Sequence, residues 1–420
     1  MFPVHRMVQR ALALVALSFL SVVLVSEVPA GTIARCGQGY LEEVDGYLVL
    51  HVKGTPYEMG FQHGALLKDH VRDSQHYLFD VKAQDFKLEF LGIQITAKQW
   101  IGTIVSIQRR HMPPRFLEEM AGLAAGAKCS VQDVVLANFI PELFHCSGFA
   151  VMNRSTRDGT LYHGRVLDYA IDWGLQEHAV LMIAEPDGGI PFVNVTYAGF
   201  VGSVTGMNAA HLSIGEMGGR GMGHWDGTPM AFLVRRVLEE ANNLDEAVAI
   251  FRDSERTCEY YYVVADGKDN RALGLAAHWN KFETVAPGQV HPRLPEPIQD
   301  AVVLSAGDRY HELCRRIRDE QGTIDAARAW SLMDRPVAMK SNLHNVLFEP
   351  RSTRLWVANA SPDGQPAATQ HRFQFQLTEL LRRTPDVHAT ALELPPQPVA
   401  PPGAEPVGAS APFPSEADTP

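Results

Sequence analysis

Apolar and polar positions along the chain fall into two regimes that meet near residue 146. Before it, apart from a strand at Tyr47–Val52, the apolar residues recur at helical spacing. Thr55-Pro56-Tyr57-Glu58 reads as a capping box with proline in the first turn, so a helix should start there. Gly60 and Gly64 lie one turn apart on it, which implies that another backbone packs close. Helical spacing continues at Leu78–Phe90, Trp100–Arg110 and Arg115–Ala127, and from the Ser130 cap to Phe139. From Cys146 on, short alternating or β-branched runs predict strands at Phe149–Met152, Leu161–Arg165, His178–Ala184 and Phe192–Tyr197. More are expected at Ser203–Thr205, His211–Ile214, Tyr260–Ala265 and Ala272–Ala276, with a closing hairpin at Val346–Phe348 and Leu355–Ala358. Helices at Met230–Ala241 and Leu244–Asp253 interrupt them. Strands in runs separated by helical blocks favour an α+β layered fold.

The two ends read differently. His5, Arg6 and Arg10 precede an apolar run from Ala11 to Val25, and Val28-Pro29-Ala30 offers small residues for a peptidase. That is the pattern of a signal peptide over residues 1–30, so export to the periplasm or the exterior is expected. The run is shorter than the roughly 20 residues a membrane-spanning helix needs, and no transmembrane segment is expected in the mature chain. Residues 394–420 are rich in proline and alanine and read as a disordered tail. Between the ends, a helical segment at 31–145 and a catalytic core at 146–393 are expected.

Composition narrows the function. The 420 residues are 46% hydrophobic and 20% charged, ample for a large core. A net charge of -11 without a basic block argues against nucleic-acid binding. The five cysteines have no C-x-x-C spacing, and no ligand spacing suggests a metal, so neither a metal nor another cofactor is expected.

Candidate chemistry gathers around Cys146. If Phe149–Met152 and Leu161–Arg165 form a hairpin, its second strand returns Arg165 and Asp168 beside the cysteine. A cation lowers a thiol's pKa, which Arg165 can do, and Asp168 can hold an amine or a thiol. Taken alone, Arg-x-x-Asp also fits a plain salt bridge. Asn208, in Gly206-Met207-Asn208, and Asn342, with Asn345 as the alternative, are amide donors of the kind that stabilise an oxyanion. Gly-x-Asn is also an ordinary turn. The glycine-rich loop Gly218–Gly227 could bring His224 and Trp225 to a pocket, or be a flexible surface loop.

Gly54 to Gly64, Phe116 to Ala127 and Ser130 to Asn138, followed by Cys146, resemble in order and spacing the autoproteolytic acyltransferase/hydrolase family typified by acyl-coenzyme A:6-aminopenicillanic-acid acyltransferase. Gly227-Thr228-Pro229, Arg235–Ala241 and Tyr261 to Asp266 fit as well. The resemblance implies a four-layer αββα N-terminal-nucleophile sandwich. It implies self-cleavage between His145 and Cys146, with the two pieces remaining associated. It implies that the new α-amino group of Cys146 acts as base for its own thiol. Arg165 and Asp168 match the Arg-x-x-Asp pair of the cysteine relatives, with Asp168 orienting the amine and Arg165 tuning the thiolate. Asn208 and Asn342 match oxyanion positions. The expected activity is cleavage or transfer of acyl groups at linear amide bonds on a small-molecule or lipid-like substrate. Alternatives are a phospholipase-B-like ester or lipid-amide hydrolase on the same fold, a papain-like Cys–His enzyme, and a non-catalytic secreted binding protein.

Overall fold

The computed structural model describes residues 31–85, 88–90, 93–139, 145–169, 171–219 and 223–397. The predicted signal peptide and nearly all of the predicted tail lie outside these residues. Three strands open the described chain: β1 (Gly31–Cys36), β2 (Gly39–Val44) and β3 (Tyr47–Gly54). Helices α1 (Pro56–Leu66) and α2 (Lys68–His76) follow, then a short hairpin, β4 (Leu88–Phe90) and β5 (Ile93–Ile95). Next come α3 (Ala97–Gln108), α4 (Pro114–Ala127) and α5 (Val131–Asn138). Strands β6 (His145–Asn153), β7 (Gly159–Asp168), β8 (Ala179–Pro186), β9 (Phe192–Tyr197), β10 (Thr205–Asn208) and β11 (Leu212–Met217) run on to α6 (Met230–Glu240) and α7 (Leu244–Arg252). They are followed by β12 (Glu259–Asp266), β13 (Arg271–His278), β14 (Phe282–Val285), β15 (Ala301–Leu304), α8 (Gly307–Asp319) and α9 (Ala326–Ser331). The last are β16 (Asn342–Glu349), β17 (Arg354–Asn359), β18 (Phe373–Gln376), α10 (Leu377–Leu380) and β19 (Thr390–Leu392).

These elements stack as four layers. The larger sheet runs β14-β13-β12-β11-β10-β9-β8-β3-β2-β1-β19, and the smaller runs β15-β6-β7-β16-β17-β18. Alternation along each strand sends one set of side chains to each face. On β8, Val180, Met182 and Ala184 pack with helices α1, α4 and α6, while Leu181 and Ile183 pack against the smaller sheet. The far face of the smaller sheet is covered by α8 and α9 through Leu313, Ile317 and Ala329. This is the expected α+β, αββα sandwich.

Helix α1 starts as predicted: Thr55 accepts from the Glu58 N–H, and the Glu58 carboxylate accepts from the Thr55 N–H. The glycine expectation holds too. A Cβ on Gly60 would lie 1.9 Å from the Glu119 carbonyl oxygen, and one on Gly122 would lie 2.1 Å from that of Tyr57. Helices α1 and α4 thus touch backbone to backbone, which only glycine permits at both positions.

Two expectations need correction. The segment 31–145 holds more strand than expected, because β1 and β2 join the predicted strand β3 in the larger sheet. Neither β1 nor β2 alternates between buried and exposed positions, so neither leaves a period-two signal. The run Leu78–Phe90 is not one helix either. A single π-turn over Tyr77–Val81 and a 3-10 turn over Lys82–Asp85 lead into the β4–β5 hairpin.

Candidate active site

Strands β6 and β7 form the expected hairpin, and its register assembles the site. Cys146 pairs with Leu167, His145 with Asp168, and Gly148 with Arg165. Gly148 faces the larger sheet, since a Cβ there would meet the Met217 side chain. Cys146, two residues away, shares that face. The thiol lies at the edge of a cavity of about 270 Å³ lined also by Met217, Gly218, Tyr261, Arg293 and Arg309.

Arg165 is wholly buried between the sheets. It donates to the Val166 carbonyl at 2.5 Å and to Glu216 Oε2 at 3.4 Å, and its stem lies over Gly215, where a Cβ would meet it at 2.7 Å. Asp168 has other partners. Its Oδ2 accepts from Arg309 at the start of α8, and its Oδ1 accepts from the Met339 N–H at 2.9 Å. Arg165 and Asp168 are therefore not each other's ion pair: each is held by a different layer. Arg309 and Glu216 are residues that sequence reasoning missed. Nothing in the local pattern around either singles it out.

The electrostatics describe a resting thiol. Burial pushes Cys146 up to about 11, with Arg165 pulling down and Glu216 and Asp168 pushing up. The thiol is then protonated at neutral pH. Burial also lifts the Asp168 carboxyl above its ordinary value, against the attraction of Arg309. Behind the site the sheets are joined by neutral histidines. His344 is bracketed at 3.0 Å by the Tyr197 hydroxyl and by Thr205 Oγ1, and burial holds its pKa well below the ordinary histidine value.

The two asparagines sit elsewhere. Asn208 faces the helical layer, on the opposite side of the larger sheet from Cys146. Its Nδ2 donates to the Leu238 and Ala241 carbonyls, at 3.1 and 2.9 Å, and its Oδ1 accepts from the Leu212 N–H at 3.0 Å. All of its capacity goes into tying the end of α6 to the β10–β11 turn, so the structure does not bring it to the thiol. We expect Asn208→Ala to cost about 2 kcal/mol, the scale of buried groups left unpaired. Thermal unfolding would read that loss, with turnover of the folded fraction changed less than about twofold. A hundredfold loss of turnover would instead restore the oxyanion role.

Asn342 is closer. It pairs across the sheet with Asp168, and its Nδ2 donates to the carbonyl of Leu167, the residue opposite Cys146, at 3.1 Å. The same amide nitrogen also meets the His344 carbonyl and Asn345 Oδ1, and Oδ1 of Asn342 accepts from the Ala368 N–H. Asn345 Nδ2 is buried without a partner among the described residues. Its neighbour in register, Val166, faces α8 and α9, so this donor points away from the thiol. The glycine-rich loop divides as well. Gly218 and Gly219 line the Cys146 cavity, but His224 stacks on Trp279, with ring centroids 4.1 Å apart, in a separate groove that includes Trp225. Residues 220–222 lie outside the described set.

The segment 155–285 matches the family described as acyl-coenzyme A:6-aminopenicillanic acid acyl-transferase. The sequence resemblance is borne out. That match takes in Arg165, Asp168 and Asn208 and begins downstream of Cys146. Among curated relatives, protein dcd1A of Dictyostelium discoideum is 25% identical over 354 residues, covering 75% of this chain and 79% of that protein. The N-acylethanolamine-hydrolyzing acid amidase of Mus musculus is 26% identical over 183 residues, 40% of this chain. The chain spans about half the length of that amidase, 49%. Among solved structures, the Caenorhabditis elegans N-acylethanolamine-hydrolyzing acid amidase ortholog aligns with a TM-score of 0.41 at 18% identity, covering 55% of this chain and 100% of that one. The curated relatives of this chain thus include an amide hydrolase.

Proposed function

We propose that this chain is an exported amide hydrolase that cuts itself before Cys146 and then cleaves acyl amides through the Cys146 thiol. The observation that carries this reading is the hairpin register. It sets Cys146 at a cavity, directly across from Leu167, with Asp168 one position and Arg165 two positions along the same strand. In the uncut chain the Cys146 nitrogen is an amide and the thiol is protonated, so no base is available. Cutting the His145–Cys146 bond turns that nitrogen into an amine. The amine takes the thiol proton, and sulfur attacks the substrate carbonyl. The C–N bond breaks as the amine half leaves with the proton. Water then cleaves the thioester, releasing the acid and regenerating the thiol. Asp168, opposite His145, orients the new amine; Arg165 supplies positive charge beside the sulfur. Asn342 fixes the Leu167 carbonyl across from the nucleophile.

The acyl half has a separate space. A largely apolar cavity of about 80 Å³ lies between the sheets and the α2 end of the helical layer, lined by Leu78, Leu175, Val195, Phe200 and Leu343. Leu167 lines it too, which connects it to the strand opposite Cys146. We expect kcat/KM to rise with acyl length, by roughly fourfold per methylene while each is buried at about 0.8 kcal/mol. A series of N-acyl amides and matching acyl esters would measure this. Ester cleavage without amide cleavage would favour the phospholipase-B-like alternative, and no hydrolysis of either by cut protein would reject the proposal.

A further inference from the structure

We infer that the amine half of the substrate carries a carboxylate and that Arg293 receives it; this rests on the amide-cleavage reading above. Among the described residues, the charged ones lining the Cys146 cavity, Arg293 and Arg309, are both cationic. Arg309 is committed to Asp168. Arg293 is not used up. Its Nη1 meets Glu259 Oε1, Tyr261 lies beside it, and its side chain is 48% exposed, so part of the guanidinium faces open space. A guanidinium offers its N–H groups as a planar fork that matches a carboxylate.

Placement supports the same conclusion. Tyr261 and Arg293 line the Cys146 cavity and also a second cleft of about 210 Å³ beside it. The leaving group therefore passes Arg293 on its way out, on a different side from the apolar acyl cavity. Glu259 sets the geometry by accepting from both Arg293 and the Tyr261 hydroxyl, the latter at 2.9 Å. It holds the guanidinium at the junction and also competes with an incoming carboxylate for it. The preferred substrate is then an N-acyl amino acid rather than an N-acyl amino alcohol, although the reacting bond is the same in both.

The test compares two amides with one acyl group, an N-acylglycine and the matching N-acylethanolamine, on the self-cut full chain. We expect kcat/KM to favour the N-acylglycine by about tenfold, the scale of one charge-assisted hydrogen bond, expressed mainly in KM. Arg293→Gln should bring the ratio towards one, Arg293→Lys should keep part of it, and Glu259→Gln should raise it. Equal or better use of the N-acylethanolamine by the unaltered protein overturns the inference. So does an unchanged ratio in a natively folded Arg293→Gln. If that variant unfolds, Glu259→Gln decides: a raised ratio supports the inference and an unchanged one overturns it. If cut protein hydrolyses neither amide, the amide-cleavage reading itself fails and takes this inference with it.

Discussion

Cys146→Ala is expected to run as one uncut chain and to lose turnover by at least about 10⁴-fold, the scale seen when a catalytic nucleophile is removed. Denaturing mass spectrometry of the unaltered protein should show two fragments, the second beginning Cys-Ser-Gly. The side chain is small and buried, so alanine fits the same space and the fold should survive. Cutting elsewhere, or cutting that persists in the alanine variant, would overturn the self-cleavage reading. An uncut, natively folded wild-type chain with an unreactive thiol would instead favour a binding protein.

The second large effect belongs to Asp168. Asp168→Asn keeps the shape and the acceptor for Met339 while removing the charge. In the proposed mechanism it should lower kcat by about 10²-fold, the scale of losing a positioned acid–base partner, and slow the self-cut as well. The structure adds a complication: Asp168 also neutralises Arg309 in a buried pair, and breaking such a pair can cost several kcal/mol. Unfolding and turnover must therefore be measured on the same samples. A tenfold or greater loss of kcat in protein that is still folded supports the role. Wild-type turnover removes Asp168 from the mechanism. Arg165→Lys makes the companion case, since lysine loses the planar fork that reaches both Val166 and Glu216.

What the sequence revealed depended on how local each signal was. The capping box at Thr55 and Glu58, the paired glycines of α1 and the β6–β7 hairpin are written within short stretches, and each was legible. Arg309 reaches Asp168 across 141 residues, and Arg165 reaches Glu216 across 51. No periodicity encodes such meetings, which the stacking of layers alone creates. Asn208 shows the converse error. Gly-Met-Asn has the look of a donor turn, but strand parity sends Asn208 to the helical face, and one residue of register decides that. Strands β1 and β2 were hidden because neither alternates between buried and exposed: β2 is buried at all but one position, and β1 is exposed or half-buried along most of its length.

The pairing of β1 with β19 has a consequence for the order of events in making this protein. β1 runs parallel to β19, and Arg35 donates to the Val387 carbonyl across 352 residues. The first strand of the described chain thus gains its outer neighbour only when the last strand exists. Contacts so distant in sequence form late and slowly. The larger sheet cannot be complete before Leu392 has been made. The fold thereby delays completion of its larger sheet until the last described strand is in place.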